Sequence, residues 1–175
     1  MLFGSYFSKA VRYSFLITGR KDLSEDVVQE TFVECYKDIK YLKDQEKFRP
    51  WFYRILVRTS WRMKAKEKHA VSLEVLDDVG RSAIDSKDDE QFNRIMNSRE
   101  SSRMLRSALE KLSLPLRTTV ILHYYNDLSI KEIAQILNCF QGTVKSRLHT
   151  ARKLLEKQLV KDGYIYDGLE CETNG

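Results

Sequence analysis

Turn-forming residues are scarce in this chain, with 2 Pro and 7 Gly in 175 residues. A sandwich or barrel needs many tight turns, so the scarcity argues for helices. The three cysteines, Cys35, Cys139 and Cys171, are far apart and odd in number. They form no disulfide framework and no metal-ligand spacing, and they suit a reducing cytosol. No run of about 18 uncharged apolar residues occurs, so no membrane-spanning segment and no direct membrane insertion are expected. The first residues, Met1 to Leu16, carry Lys9 and Arg12 inside an apolar pattern and do not read as a cleavable secretory signal. A nucleophile elbow, a phosphate-cradling glycine loop and a His/Glu metal helix are all lacking. No catalytic centre, cofactor or metal is therefore expected. His69, His123 and His149 read as surface residues, because none has a partner at ligand spacing.

What is present is a chain that is 42% hydrophobic, enough to bury a core and to exclude wholesale disorder. The formal net charge of +5 conceals a segmentation. Residues 1–71 hold 15 Lys/Arg against 9 Asp/Glu, and residues 103–161 hold 11 against 4. Between them, residues 72–102 hold 4 against 8, and residues 162–175 hold no base and 4 acids. Two basic units joined by an acidic connector is the simplest reading. The expected organisation is a first unit over 1–70, a flexible linker over 71–102, a second unit over 103–161 and an acidic tail over 162–175.

Apolar residues in the first block recur at helical spacing. Phe3, Phe7, Val11, Phe15 and Leu16 predict a helix that Gly19 ends. Asp22 and Glu25 have capping-box spacing, with Ser24 a second cap candidate, ahead of a helix through Val27, Val28, Phe32, Val33, Tyr36 and Ile39. Tyr41 to Arg49 reads as a connection. Pro50 then suits the first turn of a helix carrying Trp51, Phe52, Ile55, Leu56 and Trp61 into a basic end at Lys64, Lys66 and Lys68. Within the connector, short helical pieces are expected at Leu73–Leu76 and Phe92–Met96. The second block predicts helices through Met104–Leu112, Leu116–Tyr124, Ile133–Leu137 and Val144–Leu159. Ser129 and Glu132 form a Ser-x-x-Glu capping box before the third of these.

Residues 129–153, SIKEIAQILNCFQGTVKSRLHTARK, describe a capped short helix, a turn of about four residues and a second helix. That is a helix-turn-helix arrangement. Ala134 is small enough to let the helices approach, and Ile133, Leu137, Val144 and Leu148 would share one core. Thr143, Lys145, Ser146, Arg147, His149, Thr150 and Arg152 are left to the other surfaces of the second helix. Such a helix enters the major groove and reads base edges with its leading residues. A solvated basic face is the bland alternative, but it leaves the cap, the turn and the small residue unexplained together.

Glu132-Ile133-Ala134, Gly142 to Arg147 and Ala151-Arg152 resemble the promoter-reading C-terminal domain of extracytoplasmic-function sigma factors, members of the sigma-70 family. Leu112 to Arg117, LSLPLR, resembles the entry to that domain with its Pro offset by one. In the first block, Asp26 to Phe32 is similar to the family's Asp-x-x-Gln-Glu-x-Phe segment, and Pro50 to Ile55 to its Trp-Leu-x-x-Ile segment. Both segments belong to sigma region 2. The resemblance implies an all-α fold of two small helical domains, sigma region 2 and sigma region 4 with its helix-turn-helix, on either side of the linker. It also implies a bacterial, cytoplasmic protein that binds core RNA polymerase and promoter DNA under the control of an anti-sigma factor.

The resemblance assigns sites as well. Asp26, Gln29, Glu30 and Phe32 would dock the clamp helices of the polymerase large subunit, with Phe32 also a core candidate. Arg54, Arg58, Trp61, Arg62 and Lys64 would hold the melted −10 strand, where cations track phosphates and rings stack on exposed bases. Arg58 and Arg62 stand where the family often has Asn and Asp, which makes this face more basic. Trp51 and Phe52 read as core. Thr143, Lys145, Ser146, Arg147, Thr150 and Arg152 would meet the −35 element, with Thr150 standing where many members carry Arg. Two other readings are compatible with the residues alone: an autonomous helix-turn-helix regulator, and a nucleic-acid-processing enzyme.

Overall fold

The computed structural model describes the backbone of residues 2–71 and 99–161, and the side chains of 6–67 and 103–161. The connector pieces at 73–76 and 92–96 and the acidic tail lie outside the described residues. Among the described residues every regular element is helical. Three helices form the first unit: α1 (Leu2–Thr18), α2 (Lys21–Asp38) and α3 (Phe48–Val71), with short 3-10 turns at Ile39–Tyr41 and Gln45–Lys47. Four form the second: α4 (Arg99–Glu110), α5 (Leu114–Tyr124), α6 (Ile130–Ile136) and α7 (Gln141–Lys161). Helix α4 thus begins inside the stretch expected to be linker.

Gly19 ends α1 with φ +80, a left-handed conformation that glycine adopts without a Cβ penalty. The buried residues of α1 are Ala10 and the run from Tyr13 to Thr18, whereas Phe7 is 47% exposed. Of the predicted stripe, Phe15 and Leu16 are buried and Val11 packs against the core, and burial spreads beyond the stripe because α1 is covered by α2, α3 and α5. Helix α2 starts at Lys21 with Arg20 at the N-cap and no side-chain cap. The predicted capping roles of Asp22 and Ser24 are not used. Asp22 pairs with Arg20, and Ser24 is buried with its hydroxyl on the Arg20 carbonyl and 3.0 Å from the Thr18 hydroxyl. Cys35 is buried beside Glu34 and Asp38, and desolvation pushes its thiol up to about 12.

Aromatic side chains fill the first unit. Phe52 is fully buried beneath Tyr6, Phe32, Phe48 and Tyr53, with ring centroids 5.4–6.0 Å away. Trp51, expected in the core, is half-buried against Phe48. Offset and edge-on rings of this kind add to the area they bury.

The two units are not held apart. Their buried residues form one contiguous core running from Ala10 and Phe52 to Val144 and Ala151. Arg106 lies 4.9 Å over the Phe15 ring, and the Tyr13 hydroxyl donates to the Tyr125 carbonyl at 3.0 Å. Arg117 fixes the junction. Its guanidinium is buried and donates to the carbonyls of Leu109, Glu110, Leu112 and, across the unit boundary, Ile17 at 3.0 Å. A buried cation is tolerated only where its donors are satisfied, and here four backbone carbonyls do that.

Candidate nucleic-acid interface

The helix-turn-helix forms as its pattern dictates. Ser129 caps α6 by accepting from the Glu132 N–H, while Glu132 accepts from the Ser129 N–H at 2.8 Å. Hydrogen bonding from the Ser129 hydroxyl and N–H holds the Glu132 carboxyl below its usual range. After Ile136 the chain turns through Asn138 at φ +48, and the Cys139 N–H donates back to the Ala134 carbonyl at 3.0 Å. The Phe140 carbonyl then accepts from Thr143 and Val144, which starts α7. Ile133, Ala134, Val144 and Leu148 are buried between the helices.

That packing decides what α7 presents. Lys145, Ser146, Thr150 and Arg152 are exposed, and Thr143 and Arg147 are partly exposed. One guanidinium nitrogen of Arg147, Nη1, is shielded from solvent and finds no hydrogen-bond partner among the described residues. All six predicted −35 residues therefore lie on one helix, turned away from its buried seam. A Cβ built on Gly142 meets nothing within 4 Å, so the backbone at this position of the first turn of α7 faces open space. The N–H groups of such a turn suit a phosphate.

The α3 residues divide differently. Arg54, Arg58, Trp61 and Arg62 do share a side of the helix, but each already has a partner. Arg54 donates to the Gln135 carbonyl of α6 at 2.7 Å, and the Trp61 indole N–H donates to the Thr118 hydroxyl of α5 at 3.0 Å. Arg58 pairs with Glu34 of α2, and Arg62 reaches Glu30 at 2.7 Å and Glu34 at 3.3 Å. Lys64 pairs with Glu67 at 2.8 Å on the same helix. Arg54, Arg58 and Trp61 line a cleft of about 500 Å³ closed on its far side by Ile136, Leu137 and Asn138. Of the five residues expected at the −10 strand, Arg54 and Trp61 thus touch the second unit, and Arg58, Arg62 and Lys64 are paired within the first.

On α2, Asp26 and Gln29 are exposed and Glu30 is partly exposed. Phe32 is half-buried at the edge of the core, stacked on Phe7 at 6.0 Å and packed on Phe52 at 5.7 Å. Val33 and Tyr36 continue the exposed side of this helix at 51% and 79%. Residues that join the units include Arg49, which donates to the Asn126 carbonyl, Thr118 and Gln135, and the sequence pattern assigned none of them this role. The signals available were an arginine and two threonines in the apolar run of α5, and Asn126 in the turn after it. No cluster of three or more His, Cys, Asp or Glu that would hold a metal occurs among the described residues, and no described helix is long and apolar enough to cross a membrane.

Comparison with known proteins agrees with this geometry. Residues 2–69 match the model of sigma-70 region 2, and residues 102–155 match that of sigma-70 region 4. The chain is 30% identical to the RNA polymerase sigma factor SigV of Bacillus subtilis over 151 residues, 86% of this chain and 84% of that relative. It is 30% identical to an ECF RNA polymerase sigma-E factor of Haemophilus influenzae, covering 91% of this chain and 86% of that one. Among solved structures, the sigma factor RpoE in complex with the anti-sigma factor NepR from Bartonella quintana superposes with a TM-score of 0.70. Identity there is 21%, with 89% of this chain and 92% of that one covered.

Proposed function

The chain belongs to the extracytoplasmic-function group of the sigma-70 family and is an RNA polymerase sigma factor, and on that premise we propose how its surfaces divide the work. The exposed side of α2, from Asp26 through Gln29 and Glu30, docks the clamp helices of core RNA polymerase. Helix α7 enters the major groove of the −35 element with Thr143, Lys145, Ser146, Arg147, Thr150 and Arg152. Arginine pairs bidentately with guanine, and lysine serves guanine or phosphate. The face of α3 carrying Arg54, Arg58, Trp61, Arg62 and Lys64 receives the melted −10 strand. The protein acts as an initiation factor in the bacterial cytoplasm and turns over no substrate of its own. An anti-sigma factor holds it inactive, in keeping with the partner of the RpoE neighbour.

The observation that carries this reading is the surface of α7: six hydrogen-bonding and cationic residues on one helix, set by a capped helix-turn-helix. The state of α3 adds a condition. Arg54 and Trp61 are engaged by Gln135 and Thr118, so a DNA strand on this face must replace those contacts. Matches to sigma-70 regions over both blocks leave the autonomous-regulator reading with no feature of its own.

A separation of function tests the assignment. Arg147→Ala is expected to abolish −35-dependent transcription while leaving polymerase capture intact. Gln29→Ala with Glu30→Lys is expected to lose polymerase capture while α7 still binds a duplex carrying the element. The proposal fails if Arg147→Ala releases polymerase, or if the α2 variant captures it normally.

A further inference from the structure

Phe140 is the most exposed large apolar side chain among the described residues, at 86%. Single exposed apolar residues are ordinary on protein surfaces and need no explanation by themselves. The position of this one does need explaining. Its backbone is fixed rather than free, since its carbonyl accepts the N–H groups of Thr143 at 3.0 Å and Val144 at 3.2 Å. The preceding turn is pinned by Asn138 at φ +48 and by the Cys139-to-Ala134 hydrogen bond. The ring therefore projects from a fixed backbone position immediately before α7, two residues from Gly142, where an added Cβ would meet nothing within 4 Å. The exposed residues that follow it in the first turns of the helix are Gln141, Gly142, Lys145 and Ser146.

A recognition helix reads bases with its N-terminal residues. The major groove edges of the base pairs are donors and acceptors, with one apolar exception, the C5-methyl of thymine. A phenyl ring at that end has no hydrogen bond to offer. It cannot stack either, because the bases of a duplex are stacked on each other. The contact that remains is with the methyl group.

We propose that Phe140 is a specificity-determining residue that selects thymine in the −35 element by apolar contact with the C5-methyl group. The inference rests on the reading that α7 enters the major groove, and the test separates the two. Bacterial core RNA polymerase reconstituted with the full chain is used to select duplexes from a random pool. Each thymine in the shared upstream element is then replaced singly by deoxyuridine, which deletes only the methyl. One thymine is expected at which replacement weakens binding about fourfold, the worth of roughly one buried methyl group. Phe140→Ala is expected to weaken binding to the thymine duplex by at least that factor and to show no further loss with deoxyuridine. Phe140→Leu, still apolar, is expected to keep part of the discrimination. Polymerase capture by both variants is expected at the wild-type level, since the ring lies outside the core. Wild-type binding indifferent to every deoxyuridine, a selected element without thymine, or an undiminished deoxyuridine loss in Phe140→Ala overturns the proposal while leaving DNA reading by α7 intact. Selection that recovers no shared element overturns both.

Discussion

The indole N–H of Trp61 donates to the Thr118 hydroxyl at 3.0 Å, joining α3 to α5 across 57 residues of sequence. Thr118 is fully buried and at the same time donates to the Leu114 carbonyl at 2.8 Å, so its single oxygen serves both helices. A ring suited to stacking on an exposed base is here spent on packing. A double-mutant cycle of Trp61→Phe and Thr118→Val in urea unfolding is expected to give a coupling energy of about 1 kcal/mol, the usual net worth of such a bond. Strictly additive effects would show that the units do not hold this contact in solution.

Arg117 ties α1 to α4 and α5. Removing its side chain takes a charged donor from four carbonyls in three parts of the fold, of which that of Leu109 keeps the Leu112 N–H. Arg117→Ala is expected to destabilise by about 3 kcal/mol or more, since bonds to a charged donor are each worth about 1.5–3. Arg117→Lys is expected to recover only part of this, because one ammonium cannot reproduce the guanidinium fork. Denaturant midpoints measure both, and a loss under about 1 kcal/mol for the alanine variant would contradict the role.

Gly142 separates folding from DNA binding. It lies in the first turn of α7, without a positive φ and with nothing near its Cβ position. Gly142→Ala is expected to stabilise the protein by about 0.5–1 kcal/mol, because alanine loses less backbone freedom on folding. If the start of α7 meets phosphate as proposed, the added methyl at this open position stands in its way, so duplex binding is expected to weaken. A variant that is both more stable and equally tight on DNA would remove the first turn from the interface.

Glu132 gives the helix-turn-helix an acid sensitivity of known sign. Its folded-state carboxyl is held below the ordinary value by Ser129. A depressed carboxyl contributes stability above the unfolded pKa, near 4.3 for glutamate, and loses it as pH falls through the lower folded value. Glu132→Gln is expected to flatten that acidic limb in denaturation midpoints measured from pH 6 downward. A limb as steep as in the wild type would place the titrating group elsewhere.

The helix-turn-helix was readable because its determinants are local: the Ser129/Glu132 cap, the period of Ile133, Val144 and Leu148, and small Ala134. The start of α2 was misread because Asp22 and Ser24 have cap chemistry but are engaged otherwise, one by Arg20 and one by Thr18 and the Arg20 carbonyl. Along α1 periodicity finds Phe15 and Leu16, which are buried, but not Ala10, Tyr13 or Ile17, because it picks out one apolar stripe whereas α1 is packed on several sides. The docking of the units on each other was not legible at all. Charge blocks suggested separation, and the contacts that oppose it join residues 57 to 112 apart, such as Trp61 with Thr118 and Tyr13 with Tyr125. The candidate site was half legible. The α7 residues are presented as expected, but the α3 cations are paired with Glu30, Glu34 and the Gln135 carbonyl, partners that no spacing along α3 reveals.

Run-off transcription on a panel of bacterial promoters, using core RNA polymerase with and without this protein, tests the central claim most directly. Discrete transcripts that require both components are predicted, and they should fall steeply with salt, because several Lys and Arg displace counterions from phosphates. Tight binding to duplex DNA by the chain alone, with no association with polymerase and no transcript, would contradict the account.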